Sequence, residues 1–239
     1  MRIDFVIGII TRNRSKELKA TLESVLAQKG ASLEVFVLDN NSSQEEAALN
    51  EQACAGFAGV TYDYSPANLG VAGGRNANIE KAKVLDYDYL LEIDDDAVFA
   101  SEDSLQKVIQ TFEMKPEVGV LAFQVINYWS RRIVPMEYPF VRKSRDPHEE
   151  GYAPWFIGAG HAIRKNLIQK IGSYHNFYPW GSEEQDFSFR TYDSGSSIWY
   201  AADVIVFHKK SPLARLPPRE HFEVAFCNRM RAWWLNLPA

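Results

Sequence analysis

Three consecutive aspartates, Asp94, Asp95 and Asp96, follow the apolar run Tyr89 to Ile93. Like charges so close together are costly unless something offsets their repulsion. A hard divalent cation does this, because Mg2+ and Mn2+ prefer carboxylate oxygen and share phosphate oxygens as further ligands. If the extended geometry persists, Asp94 and Asp96 face one side and Asp95 the other. The plain alternative is a solvated acidic turn before the next helix. A second acidic pair, Glu183 and Glu184, follows Gly181-Ser182. Ser182 and Gln185 have the spacing of a capping box, which places both glutamates in a first helical turn. There they can act as a general base or simply complement the helix dipole. Asp186 and Arg190 have the i, i+4 spacing of a surface salt bridge. His208 closes the run Val204 to Phe207 and, taken alone, reads as an ordinary surface or core histidine.

These residues need elements to hold them. Residues 3–10 read as a buried strand; Ser15 then has the character of an N-cap, with Leu18, Leu22, Val25 and Leu26 as the apolar stripe of a helix. Leu33 to Leu38 is a second strand, Gln44 to Ala55 a helix, Val60 to Tyr64 a strand, 74–84 a helix and Tyr89 to Ile93 a strand. Such alternation implies a mostly parallel sheet covered on both faces, with ligands bound at the carboxyl ends of its strands. Those ends are polar in series: Thr11-Arg12-Asn13-Arg14, Asp39 to Ser43, Asn68 to Asn76, and the three aspartates. Any one of them fits an ordinary polar loop, but four converging on one edge point to a site. Beyond them, Glu102 to Met114 reads as a helix, Val118 to Val125 as a strand, Asn127 to Tyr138 as a hairpin and 140–154 as a mobile loop. The segment after Pro217-Pro218 reads as a helix whose face Phe222, Phe226, Met230, Trp233 and Leu237 packs on the domain or lies at a membrane interface.

Composition narrows the classes. The 239 residues are 46% hydrophobic and 24% charged, as expected of a folded globular chain. Cys54 and Cys227 are far apart and form no CxxC pair, which argues against a disulfide framework or a cysteine-built zinc site. The N-terminus shows no signal-peptide pattern, and no apolar stretch approaches the roughly 20 residues that span a bilayer. A reducing, cytoplasmic setting is expected. The net charge of −5 argues against nucleic acid as a partner. Residues 209–239 carry six basic against two acidic side chains, +4, so the preceding 208 residues hold −9. A basic, aromatic tail on an acidic body suggests peripheral contact with the inner membrane face.

The segments Ile-Ile-Thr-Arg-Asn-Arg, Val-Leu-Asp-Asn-Asn-Ser-Ser, Asn68-x-Gly70-x-x-x-Gly74-Arg75-Asn76, Leu-Glu-Ile-Asp-Asp-Asp and Glu183-Glu184-Gln185-Asp186-Phe-Ser-Phe-Arg190 form an ordered set over about residues 3 to 208. In this the chain resembles the inverting nucleotide-sugar glycosyltransferases of family two. The resemblance implies an α/β GT-A fold, with a Rossmann-like, mostly parallel central sheet flanked by helices and a smaller mixed region on the acceptor side. One domain over 1–239 is expected, with a nucleotide-binding half (1–100), an acceptor-binding half (101–210) and a helical tail (211–239).

The resemblance also implies roles. Thr11, Asn13, Arg14, Asp39, Asn68, Arg75, Asp94 and Asp95 would contact the nucleotide sugar. Asp39 would accept from the N3–H of a uracil or thymine, Arg75 would approach base or diphosphate, and Asp94 the ribose. Asp96, with His208 as in some relatives, would hold Mg2+ or Mn2+. Trp155, Gly158, Gly160, Trp180 and Asp186 would lie on the acceptor and sugar side, with Tyr178 a further flat face for a sugar ring. Glu184 aligns with the family's catalytic base, where aspartate is the commoner residue, and Glu183 remains a competitor. The implied donor is a UDP, dTDP or GDP sugar, and the implied acceptor a saccharide, as in polysaccharide biosynthesis, or a lipid-linked molecule. Two alternatives stay open. A nucleotidyltransferase making a nucleotide sugar would normally carry a glycine-rich phosphate loop where Thr11-Arg12-Asn13-Arg14 stands, and a dinucleotide oxidoreductase is disfavoured on the same ground. A non-catalytic nucleotide-sugar-binding subunit, recruited through the tail, is the other.

Overall fold

The computed structural model describes residues 2–140, 146–213 and 217–236. Its first half runs β1 (Ile3–Thr11), α1 (Ser15–Leu26), β2 (Leu33–Asp39), α2 (Gln44–Ala55), β3 (Val60–Tyr64), α3 (Gly70–Ala82) and β4 (Tyr87–Ile93). These strands lie in the order β3-β2-β1-β4 and are parallel throughout. The reason is visible in β1. Phe5, Ile7 and Ile9 enter the core on one face and Val6 the core on the other, so successive residues must be apolar. Leu18, Leu22 and Val25 of α1 cover the first face, and Ala72, Ile79 and Ala82 of α3 the second. Each buried leucine contributes roughly 1.5–3 kcal/mol.

The second half adds β5 (Ala97–Phe99), α4 (Ser104–Met114), β6 (Val118–Asn127), a 3-10 turn (Pro135–Glu137), β7 (Gly151–Tyr152), β8 (Gly160–Arg164), α5 (Lys165–Ile171), α6 (Glu183–Asp193), β9 (Ser197–His208) and α7 (Pro218–Asn236). The sheet continues as β4-β8-β6-β9-β5, antiparallel except for the parallel pair β6 and β9. Two registers matter for the site. Ala97 pairs with His208, which brings that histidine beside the three aspartates, and Glu92 pairs with His161.

Several local expectations need correction. Ser15 is the first helical residue of α1, the N-cap residue is Arg14, and the Ser15 N–H donates to the Glu46 carboxylate at 3.0 Å. Ser182 does not form a capping box: Gly181 and Ser182 both adopt φ of +73°, and the sharp turn they make takes the place of a side-chain cap. The helix α3 begins at Gly70 rather than at residue 74. Gly70 has φ +72°, and a side chain there would strike the Pro179 backbone at 2.6 Å. Residues 127–138 make a tight turn closed by the Asn127 side chain and a single bridge, Ile126 to Ile133, instead of a hairpin. Within 140–154, residues 151 and 152 form β7, while 141–145 lie outside the described residues.

The tail is helical, but α7 docks through Asn228 and Ala232. The Asn228 amide donates to the Trp180 and Gly181 carbonyls at 2.8 and 3.2 Å. Phe222, Phe226, Met230 and Trp233, the face expected to pack inward, are exposed. Leu237 and Arg215 lie outside the described residues.

Candidate active site

The three aspartates follow β4 in a turn closed by the Ala97 N–H donating to the Asp94 carbonyl at 3.0 Å, and the turn divides their side chains. Asp95 is buried and turned back into the protein, accepting from the Thr11 hydroxyl and the Arg14 guanidinium at 2.8 Å each. It therefore fastens the loop after β1, and Arg14 in turn donates to the Leu213 carbonyl at 2.7 Å. Burial pushes the Asp95 carboxyl up to about 7, against the pull of Arg14. Asp94 and Asp96 face the other way and meet His208, and one ligand atom from each lies within 4.8 Å of the others. His208 Nε2 is 3.1 Å from Asp96 Oδ1 and 3.7 Å from Asp94 Oδ2. Its Nδ1 is 2.6 Å from Glu137 Oε1. The second Asp96 oxygen accepts from the Ser211 backbone N–H at 2.7 Å.

Burial favours the neutral imidazole, but hydrogen bonds to Asp96 and Glu137 and the charge of Asp94 push His208 up to about 10. Burial likewise opposes charge on Asp96, yet His208, Arg14 and the Ser211 N–H bring it down to about 2. Two carboxylates and an imidazole whose far nitrogen is held by a carboxylate form a donor set suited to Mn2+ or Mg2+. A bound divalent ion would take the place of the imidazolium proton between those carboxylates.

The second cluster is built on Arg75, whose side chain is 5% exposed. Its guanidinium meets Glu92 Oε2 at 3.5 Å, Glu183 Oε1 and Glu184 Oε1 at 3.4 Å each, and Asp94 Oδ1 at 3.9 Å. It also donates to the Gly158 carbonyl at 3.2 Å. One buried cation thus joins the aspartates at the end of β4 to the acidic pair at the start of α6. The two glutamates are not equivalent. Glu183 is 2% exposed, its Oε2 has no hydrogen-bond partner, and burial together with the neighbouring Glu184 charge raises its pKa well above the carboxylate range against the pull of Arg75. The Glu184 side chain is 18% exposed and is the more accessible member of the pair.

Gly158 completes this cluster. A methyl group there would overlap Glu184 Oε1 and Arg75 Nη2, while the backbone angle suits any residue. Both are far ends of flexible side chains, so the fold can absorb the change and the cluster cannot. Gly158→Ala is expected to leave the melting temperature within a few degrees and to lower turnover about 10²-fold, the cost of roughly 1 Å misplacement at a reacting centre. Wild-type turnover in a folded Gly158→Ala protein would contradict this geometry.

The remaining expected residues sort by burial. Asp39 is fully buried and accepts from the Ser42 N–H, the Asn50 amide and the Tyr62 hydroxyl at 2.8, 2.8 and 2.9 Å, so it anchors the loop after β2 and faces no cleft. Asn13, at φ +54°, ties that loop to the loop after β1 by accepting from the Ser43 N–H at 2.8 Å. Asn68 is exposed and accepts from the Gly70 N–H at 3.0 Å, at the start of α3. Trp155 and Trp180 are half-buried.

Three acceptor-side expectations do not fit. The missing side chain of Gly160 faces Phe123 and Val206 in the core, both 3.1 Å from where its Cβ would be. Tyr178 is fully buried and offers no face to a sugar. Asp186 is fully buried as well, held by Arg190 at 2.9 Å, Asn236 at 3.0 Å and His175 at 3.1 Å, so it is neither a surface pair nor a cleft residue. Conversely, Glu92, Glu137, His161 and Tyr174 belong to the site's surroundings and were given no role from the sequence. Glu92, inside the segment Leu-Glu-Ile-Asp-Asp-Asp, was the one of them that a motif contained.

Comparison with known proteins agrees with this architecture. The family profile described as glycosyl transferase family 2 matches residues 6–175. An uncharacterized protein of Haemophilus influenzae is 36% identical over 168 residues, covering 69% of this chain and 89% of that protein. The crystal structure of GalNAc-T7 with UDP, GalNAc and Mn2+ superposes with a TM-score of 0.74 at 16% identity, over 97% of this chain and 48% of that one. The mannosyltransferase PcManGT of Pyrobaculum calidifontis, in complex with GDP-Man and Mn2+, gives 0.70 at 16% identity, over 97% and 65%. At such identities the likeness establishes the fold alone, which is GT-A. The chain spans less than two thirds of either structure's length.

Proposed function

Because this chain belongs to glycosyl transferase family 2, we propose that it transfers a sugar from a nucleoside-diphosphate donor to a hydroxyl acceptor, with inversion and with a divalent cation. The observation that carries the reading is the single guanidinium of Arg75 joining Asp94 to Glu184, which sets an ion site and a base at two sides of one cleft. Asp96 and His208 would hold Mn2+ or Mg2+, and the Asp94 oxygen that faces them would complete the set. When bound, the ion would neutralise charge on the leaving diphosphate. The loops fastened by Asp95, Asn13 and Asp39 shape the nucleotide side, within residues 1–100.

In the reaction, Glu184 takes the proton of the acceptor hydroxyl. That oxygen bonds to the anomeric carbon as the bond from carbon to the diphosphate oxygen breaks on the opposite face, releasing the nucleoside diphosphate. Glu183, 2% exposed, offers no open face to an acceptor. Half-buried Trp155 and Trp180 are placed to border the sugar and acceptor, within residues 101–210.

No helix among the described residues is long and apolar enough to cross a membrane. The exposed aromatics of α7 are the proposed means of peripheral contact on the cytoplasmic side, in reach of a lipid-linked acceptor. Co-sedimentation with anionic but not neutral vesicles would support that contact, and sedimentation with neither would remove it.

Nucleotide choice is tested by thermal shift with UDP, GDP and dTDP, with and without Mn2+. Stabilisation by one of them that depends on the metal is expected, since a ligand stabilises only the state that binds it. Equal stabilisation with and without metal would contradict the ion's place in the site.

A further inference from the structure

Glu92 is the penultimate residue of β4, in register with Gly8 of β1 on one side and His161 of β8 on the other. It is 2% exposed. An uncompensated carboxylate at such a position costs several kcal/mol, and an apolar side chain would serve stability as well or better. Its surroundings explain the charge. Glu92 Oε2 accepts from the Tyr174 hydroxyl at 2.6 Å and lies 3.0 Å from His161 Nε2 and 3.5 Å from Arg75 Nε. Gly8 presents no side chain opposite it. Burial works against the charge, but Arg75, His161 and Tyr174 together hold Glu92 below the usual carboxylate range.

Arg75 is thus gripped from two sides. Its Nε faces Glu92, and its terminal nitrogens face the Gly158 carbonyl, Glu183, Glu184 and Asp94. The neighbouring Asn76 locks the same assembly, donating to the Tyr174 carbonyl at 2.7 Å and accepting from the Tyr174 N–H at 3.0 Å. The Tyr174 ring lies 5.5 Å from the Arg75 guanidinium carbon. Arg75, Asn76 and Tyr174 therefore form one unit whose base is Glu92.

We propose that Glu92 is a positioning residue for the transfer reaction: with Tyr174 and His161 it aims the Arg75 guanidinium, and Arg75 holds the Glu184 carboxylate toward the acceptor. This rests on Glu184 being the base. The relay reaches the base through Arg75, which also lies 3.9 Å from Asp94, and makes no contact with Asp96 or His208. Its loss impairs proton removal from the acceptor more than it weakens donor binding.

The test uses full-length Glu92→Gln and Tyr174→Phe proteins with whichever of UDP-GlcNAc, UDP-GalNAc or GDP-mannose the wild type turns over. Glu92→Gln keeps the side chain's size and removes its charge. Its kcat for nucleoside diphosphate release is expected to fall about 10²-fold, while donor KM and Mn2+-dependent binding of that diphosphate stay within about twofold. Tyr174→Phe removes one hydroxyl, and about a tenfold loss with the same split is expected. A folded Glu92→Gln protein with wild-type kcat overturns the proposal, as does one whose donor KM rises in step with the fall in kcat. Should Glu92→Gln not fold, Tyr174→Phe decides by the same criterion. Glu184→Gln, measured alongside, separates the two levels. If it retains wild-type kcat, the base assignment fails and the relay with it. If it is inactive while Glu92→Gln and Tyr174→Phe are fully active, only the relay fails.

Discussion

Replacing Asp96 with alanine is expected to lower sugar transfer about 10³-fold, equivalent to about 4 kcal/mol of barrier, and to remove the metal dependence of nucleotide binding. The size follows from where Asp96 stands. One of its oxygens faces His208 Nε2 at 3.1 Å and the other accepts from the Ser211 N–H at 2.7 Å, so the carboxylate is held in place before any ligand arrives. Without it the remaining donors, Asp94 and His208, are too few to fix a hard cation against its hydration shell. Asp96→Asn is the informative companion, because an amide oxygen still accepts from Ser211 and still packs. Loss of Mn2+-dependent UDP or GDP binding in a folded Asp96→Asn protein would locate the defect in the ion rather than in the fold. Retention of that binding in both variants would contradict the assignment.

The second large effect concerns the acidic pair. Glu184→Gln removes the base and is expected to cut kcat by about 10²–10⁴-fold with little change in donor KM. Glu183→Gln replaces a buried carboxyl with a side chain of the same size, and a change of about threefold or less is expected, since proton transfer from the acceptor does not use it. The contrast matters more than either number. Both residues sit in the first turn of α6 and both meet Arg75 at 3.4 Å, yet the Glu184 side chain is 18% exposed and that of Glu183 only 2%. A Glu183→Gln variant as inactive as Glu184→Gln would show that the two carboxyls act as one proton-sharing unit.

Much of the scaffold was legible from the chain. The alternation of strand and helix through β4 followed from hydrophobic period, because a parallel strand covered on both faces must be apolar at every position and β1 shows this directly. The clustering of polar loops at one sheet edge followed from the same pattern. The grouping of Asp94 and Asp96 apart from Asp95 was expected from strand alternation if the extended geometry persisted; a turn at 94–97 replaces it, and Asp96 meets both His208 and Arg14. What could not be read depended on partners distant in sequence. Glu137 supports His208 from 71 residues away, and Glu92 meets Tyr174 from 82. Glu92 stands inside a motif, but nothing near it in sequence points to Tyr174, and nothing near Glu137 points to His208.

Local rules also misled where tertiary structure overrode them. Ser182 has the right spacing for a capping box, but the left-handed turn of Gly181-Ser182 leaves its side chain making no cap. Asp186 and Arg190 have the spacing of a surface pair, but Tyr178, His175 and Asn236 close over Asp186. Gly160 reads as room for a ligand and is room for Phe123 and Val206. The tail helix reads as an inward apolar face and instead docks through Asn228 and Ala232, leaving its aromatics outside.

Asp94, Asp96 and His208 on one side of Arg75 and Glu184 on the other are read here as a single metal-assisted transfer site. The most direct test is nucleoside diphosphate release from UDP-, GDP- and dTDP-sugar donors, measured for the wild type with Mn2+ or Mg2+, after EDTA, and after re-addition of metal. Release of diphosphate from one donor class, lost with EDTA and restored by metal, is the expected result. Release that EDTA leaves untouched would contradict it, and so would pyrophosphate formed from a nucleoside triphosphate in place of diphosphate from a sugar donor.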